Sequence, residues 1–291
     1  MKKQDSNEAL LKFGKGSAKL ADHILHFSIP TGFSCTKFAR SCLAFADKDS
    51  GKIKRGPDSE FTCYYASLEG LYPSVRKNSW HNWELLKDAK TTNKMASLIQ
   101  KSLIPLIYKY HNAHLNFPTI RIHVGGEFYS RNYWNAWLKV ARELTPIKFY
   151  AYTKAISYWV RSEINSEIPD NLNLTASFGG LHDAEIIEYG LKYNKVVFSK
   201  AEAAELRLPV DHNDWYAHTG TVNFASLLHG VQAKGSKASA AISKLKKEGF
   251  TGYGKNKDYS TTNPALLEQC HTWHKRIGNS EIQSILEQLA A

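Results

Sequence analysis

The sequence has no long apolar run: nothing approaches the roughly 18 consecutive residues of a membrane span, which predicts no membrane-spanning helix. Its first residues, MKKQDSNEALLKFGKG, hold no apolar h-region, which argues against a secretory leader and for a cytosolic, reducing compartment. Acidic side chains are scarce, 27 against 38 Lys plus Arg, and the formal charge of +11 favours a polyanionic partner, a nucleic acid or a nucleotide. Neither G-x-G-x-x-G nor a P-loop occurs, so the usual dinucleotide and triphosphate fingerprints are missing. There is no C-x2-C pair either, which removes the common pattern of a structural zinc site.

What is present is concentrated. Of four cysteines in 291 residues, three fall in one segment, Cys35 to Cys63, CTKFARSCLAFADKDSGKIKRGPDSEFTC. Cysteine is usually a buried residue, and this segment is too rich in Lys, Asp and Gly to be core. Three cysteines in a polar loop of a cytosolic protein suggest a metal or cluster site. The fourth, Cys270, lies beside His271 in a helical pattern and is left unassigned.

Periodicity supplies the frame. Leu25, Phe27 and Ile29 alternate with Ile24, His26 and Ser28, a strand pattern ending at Pro30. Phe61–Gly70 reads as a short helix, and Met95, Leu98, Ile99 and Leu103 recur at helical spacing up to Pro105, which should kink or end that helix. Strands at Thr119–Val124, Ile147–Thr153, Leu172–Ser177, Lys195–Ser199 and Phe224–His229 then alternate with helices at Asn132–Leu144, Ala155–Ile164, Ala184–Tyr193, Lys200–Glu205 and Ser236–Glu248. Strands separated by helices imply right-handed βαβ units and a parallel sheet. The Trp80–Trp83 and Tyr133–Trp137 aromatics, at helical spacing, read as core rather than base-stacking platforms. Arg76, Lys77 and the lysines of 234–257 read as solvated.

The strands have two unlike faces. Arg121, His123, Tyr150, Tyr152, Lys154, Asn173, Thr175 and Ser177 alternate with Ile120, Ile122, Val124, Phe149, Ala151, Leu172, Leu174 and Ala176. A flat parallel sheet covered on both faces should read as continuously apolar. The expected fold is therefore an α/β parallel (β/α) barrel or partial barrel over residues 1–254, carrying the cysteine loop 35–63, with a helical extension over 255–291. Sites in such barrels lie at the C-terminal strand ends. There RIHVGGEFYS places Gly125 and Gly126, which let backbone approach a ligand, and Glu127, an acceptor for an ammonium or hydroxyl. Lys154 ends the next strand, within reach of a carboxylate, a phosphate or Glu127.

Three cysteines after the first strand, with Gly-Gly-Glu closing the following one, resemble the radical S-adenosylmethionine enzymes. The resemblance covers about residues 24–200 and implies a 4Fe–4S cluster on Cys35, Cys42 and Cys63, with S-adenosylmethionine chelating the remaining iron. It implies that Gly125, Gly126 and Glu127 meet the methionyl end and that Phe61 or Tyr64 touches the adenine. Thr175 and Ser177 are further cofactor-contact candidates, and Glu127 and Lys154 the catalytic ones. The spacing is C-x6-C-x20-C where that superfamily has C-x3-C-x2-C.

A narrower resemblance covers nearly the whole chain. FGKGSAKL, the cysteine loop, YPSVRKNSWHNWELL, RIHVGGEFYSRNYWNAWLKVAREL, FYAYTK, IPDNLNLTASFGG and VVFS are similar to a phage family catalogued as mycobacteriophage gene product eighty-eight. It implies a phage, prophage or plasmid setting and marks the cysteine loop as a family feature; it implies no particular reaction. Two rival readings stay open: a zinc-containing barrel enzyme of base-exchange type, with His26 or a distant residue as fourth ligand, and a DNA-binding accessory protein with a structural metal. No oligomeric state is implied.

Overall fold

The computed structural model describes residues 9–17, 19–114, 117–220, 222–250 and 252–253. In chain order it forms β1 (Gly14–Lys15), β2 (Ile24–Ser28), β3 (Ala44–Ala46), β4 (Ile53–Arg55), α1 (Tyr64–Leu71), α2 (Pro73–Ala89), α3 (Thr92–His114) and β5 (Thr119–Gly125). The alternating half follows: α4 (Arg131–Glu143), β6 (Lys148–Thr153), α5 (Ile156–Ile164), β7 (Leu172–Ser177), α6 (Asp183–Glu188), β8 (Tyr193–Val197), α7 (Lys200–Glu205), α8 (Trp215–Thr219), β9 (Phe224–Leu227) and α9 (Lys237–Lys247).

One seven-stranded sheet runs β1-β2-β5-β6-β7-β8-β9, with β1 antiparallel to β2 and every later pair parallel. Each parallel crossover steps to the adjacent strand in the same direction. With one handedness for all of them, the crossover helices gather on a single face. The apolar alternation dictates which: Ile120, Ile122, Phe149, Ala151, Leu172, Leu174 and Ala176 form one cluster with Leu86, Ile99, Leu103, Trp134, Trp137 and Trp159 from the helices. Tyr133, Trp134 and Trp137 are essentially inaccessible, so that aromatic face is core as expected.

Several expectations change. No pairing closes the sheet between β1 and β9 among the described residues, so the arrangement is an open, mostly parallel sheet and not a closed barrel. The polar face is instead partly covered by the segment around α8: Leu20, Ile24, Tyr150, Ala217 and Phe224 pack together there. Pro105 neither ends nor bounds α3, which continues to His114; only one backbone donor is lost, and buried Leu103 and Ile107 flank it in the core. Arg76 is buried rather than solvated. The strict alternation of β5 fails at its end. His123 takes φ +63°, and the β2–β5 register shifts between His26 and Ser28, so the bulge turns His123 toward Phe128 and Tyr133 on the helix side. Val124 then joins Tyr152 on the other face. The expected extension over 255–291, with Cys270, lies outside the described residues.

Candidate functional site

The cysteine loop lies across the C-terminal edge of the sheet because its backbone is fastened there at several points. At the β5 end, the Glu127 N–H donates to Ser34 Oγ (3.2 Å), which itself donates to Pro30 O (2.7 Å). At the β7 end, the N–H groups of Arg40 and Ser41 both donate to Gly179 O (3.0 Å each), while Asp183 at the start of α6 accepts from the N–H groups of Gly179 and Gly180. After β9, Gln232 exchanges hydrogen bonds with the Thr62 backbone at 2.7 and 3.0 Å. The loop's middle folds into the β3–β4 hairpin, which Arg76 clamps by donating to Lys48 O, Asp49 O and Glu69 O.

This tethering brings Cys35, Cys42 and Cys63 to the wall of one cavity of about 180 Å³, together with Gly125, Gly126 and Glu127. That volume exceeds the ~150 Å³ of an engineered cavity able to take up benzene, so a ligand-sized group fits. The thiols are free and half-buried. Burial pushes the Cys35 thiol well above its ordinary value, and the charges of Glu127, Cys63 and Cys42 push the same way. Burial raises Cys63 to about 12, with Cys42 adding to it; the N–H groups at the start of α1 offset part of the rise.

Such thiols hold their protons until a cation arrives, because only the thiolate ligates and the metal must displace the proton. Among the described residues no group of three or more His, Cys, Asp or Glu side chains is placed to hold a metal ion. A single tetrahedral zinc needs its sulfurs about 3.8 Å apart, given Zn–S near 2.3 Å. Cys35, Cys42 and Cys63 thus share one cavity wall without forming a ready-made site for a single ion.

Glu127 is 4 % exposed and is gripped by protein donors. Oε1 accepts from Phe128 N–H (2.8 Å) and Thr153 Oγ1 (2.7 Å), and Oε2 accepts from Lys154 N–H (2.6 Å). Burial raises its carboxyl in spite of these donors. A carboxylate offers about four acceptor positions; three are filled, which leaves one on Oε2. Of the partners open to Lys154, Glu127 is hydrogen-bonded through the lysine's backbone, and the ammonium acts on it by charge alone. That ammonium turns away, donating to Ser177 O (2.8 Å), Ser177 Oγ (2.8 Å) and Phe178 O (2.6 Å), because the end of β7 presents three acceptors together.

The glycine pair has a packing reason that spacing alone did not show. A Cβ on Gly125 would stand 1.9 Å from the Tyr65 ring, and one on Gly126, at φ +103°, would stand 2.4 Å from Ile29 Cγ1. The glycines let α1 and the chain after β2 lie flush on β5. Phe61 lines the cavity and packs edge-on against Phe198. Tyr64 lines it as well, with its hydroxyl donating to Val124 O (2.6 Å). Ser177 lines it and is bound to Lys154. Thr175 is fully buried away from the cavity wall, its hydroxyl without a hydrogen-bond partner; α8 packs over that part of β7 and β6. His26, the suggested fourth zinc ligand, sits on β2 with Nε2 bonded to Gly16 O, away from the cavity.

The main feature missed from sequence is the floor. Arg121 and Asp214, which is fully buried, form an ion pair. Asp214 also accepts from Lys19 Nζ (2.6 Å), Tyr150 OH (3.1 Å) and Tyr152 OH (3.2 Å). Although burial opposes ionisation, the charges of Arg121 and Lys19 hold the Asp214 carboxyl well below its ordinary value. The segment Asp211–Asp214 is a turn, and the left-handed backbone of Asp214, φ +66°, aims its carboxylate into the sheet's polar face. A polar strand face opposite an Asp-rich turn was the available signal.

An open, mostly parallel sheet, wound in one direction, with a cavity lined by three cysteines at its C-terminal edge defines an α/β protein with a candidate ligand site there. The chain belongs to the family described as Gene product 88, whose profile matches residues 2–247. It is 30% identical over 146 residues to the Gene 88 protein of Mycobacterium phage L5, a match covering 48% of this chain and 59% of the relative. It is 34% identical over 92 residues to the Gene 88 protein of Mycobacterium phage D29, covering 32% of this chain and 38% of the relative. The chain thus spans less than two thirds of the length of either relative. No solved structure matches it. No helix among the described residues is long and apolar enough to cross a membrane.

Proposed function

We propose that this protein is a radical-S-adenosylmethionine-like iron–sulfur enzyme that acts on a nucleotide or nucleic acid. The observation that supports it is the convergence of Cys35, Cys42 and Cys63 with the Gly-Gly-Glu end of β5 on one cavity. The sheet order supports it too, since an open, singly wound set of parallel strands is what a partial barrel requires. In this reading Cys35, Cys42 and Cys63 would hold a 4Fe–4S cluster, Glu127 would accept from the amino group of S-adenosylmethionine, and Phe61 or Tyr64 would contact its adenine. When bound, that pair supplies one-electron chemistry ending in hydrogen abstraction from a substrate.

The chain's own residues have definable tasks. Glu127 is oriented by Phe128, Thr153 and Lys154 and keeps one acceptor position for an ammonium. Lys154 positions the β7 end through Ser177 and Phe178, and its backbone N–H orients Glu127. The loop tethers at Ser34, Gly179 and Thr62 keep the thiols at the cavity. Substrate class is supported by the charge of +11.

Anaerobic reconstitution followed by iron and sulfide analysis tests the proposal. Wild type should take up about four irons per chain, as a 4Fe–4S centre demands, and Cys42→Ala should lose the stable cluster. Wild type that takes up zinc but no iron, or a Cys42→Ala variant with a full cluster, would sink it.

A further inference from the structure

The cavity has a second end whose chemistry differs from that of the thiols. Its wall there includes Lys19, Arg121, Tyr152, Asn194, Ser226 and His229. Two cations, Arg121 and Lys19, share a single strongly ionised carboxylate, Asp214. Among the described residues Asp211 is also in reach, its carboxyl pushed up by burial and by the charge of Asp214 while Lys19 pulls it down. His229, bonded through Nδ1 to Leu227 O (3.0 Å), is kept neutral: burial and the charge of Lys19 lower it to about 4. Glu127 and Lys154 belong to the opposite end, each satisfied locally.

Arg121 is only 6 % exposed. Its guanidinium donates through Nε to His123 O (3.3 Å), through Nη1 to Asp214 and through Nη2 to Tyr64 OH (3.4 Å). A guanidinium has five N–H donors in a rigid fork, so two remain on the terminal nitrogens. Placing a buried cation with spare donors in a cavity wall is costly unless an acceptor completes it. The rings of Tyr64 and His229, 4.6 Å apart, line the same cavity wall.

We propose that the Arg121–Lys19 end of the cavity is an oxyanion subsite, which seats the phosphate or carboxylate of the protein's ligand against the spare Arg121 donors with Lys19 as the second cation. The subsite goes beyond the cluster reading and does not depend on it. Asp214 anchors the subsite: it pairs with the buried Arg121 and the half-buried Lys19 at once.

The experiment is a titration of the full-length, cluster-free protein with inorganic phosphate and, separately, with acetate at constant ionic strength, followed by calorimetry. At least one oxyanion should bind saturably to wild type, and Lys19→Gln should weaken it about tenfold or more. Lys54→Gln, which removes an exposed charge on β4, should leave the affinity within twofold. Phosphate binding over acetate assigns the subsite to a phosphate ester; the reverse assigns it to a carboxylate. Failure of both anions to bind, or equal loss in Lys19→Gln and Lys54→Gln, overturns the proposal. The titration uses cluster-free protein and reads the anion alone, so its outcome is separate from that of the iron analysis.

Discussion

Glu69 shows how one side chain near the cavity couples stability to pH. It lies on α1, 1 % exposed, accepting from both the N–H and the hydroxyl of Thr31, a residue of the cavity wall. Burial outweighs those donors and raises its carboxyl to about 7. A raised carboxyl favours the protonated form in the folded chain. The folded protein is therefore undisturbed by Glu69 below its ordinary value of 4.5, and loses stability as pH rises from there to about 7. At 1.36 kcal/mol per pH unit the full effect is about 3 kcal/mol. Glu69→Gln should then gain on wild type by up to that amount between pH 5 and pH 8 in urea unfolding. An equal difference at both pH values would contradict the assignment. The thiols follow the same logic on the metal side: cation uptake at Cys35 and Cys63 must displace protons, so affinity should climb with pH.

At the scale of elements, the cysteine loop is held more by α2 than by its own hairpin. The β3–β4 pair has three residues a strand, too little for independent stability. Arg76 supplies the hold by spanning Lys48, Asp49 and Glu69 carbonyls, and Gly51 is where the guanidinium passes, since a Cβ there would meet Arg76 Nη1 at 2.4 Å. Arg76→Ala strands three carbonyls at 1–3 kcal/mol for each that stays buried; the expected net loss is about 2–4 kcal/mol, with earlier protease cleavage at Lys48–Lys54. Cleavage at the wild-type rate would show the clamp to be idle. Most of these elements were legible beforehand: β5, β6, β7, α4 and α5 fall where period-2 and period-3.6 patterns put them, because those periods are local. The Arg76 clamp was not, since an arginine beside Lys77 on a helix looks the same in sequence whether it meets water or a hairpin.

At the scale of the molecule, one core cluster joins Phe27, Ile122, Phe149 and Leu174 on four adjacent strands to side chains of α2, α3, α4 and α5. The described body should accordingly unfold in one step, with far-ultraviolet dichroism and tryptophan fluorescence giving coincident denaturant transitions. Two resolved transitions would separate the cysteine loop from the sheet.

By itself the sequence determined the α/β class, the parallel pairing of the main strands, the two unlike sheet faces, and the two segments that meet at the site. It did so because hydrophobic period and turn chemistry act over a few residues. Only the tertiary structure decided that the sheet stays open, that His123 breaks the alternation, that Lys154 turns from Glu127, and that Arg121 meets Asp214 across 93 residues of chain. Each of those depends on which distant backbone acceptors or carboxylates arrive at the same place. That is a property of the packed sheet, where burial makes an unmatched charge costly and a charged group takes the partner that folding brings to it.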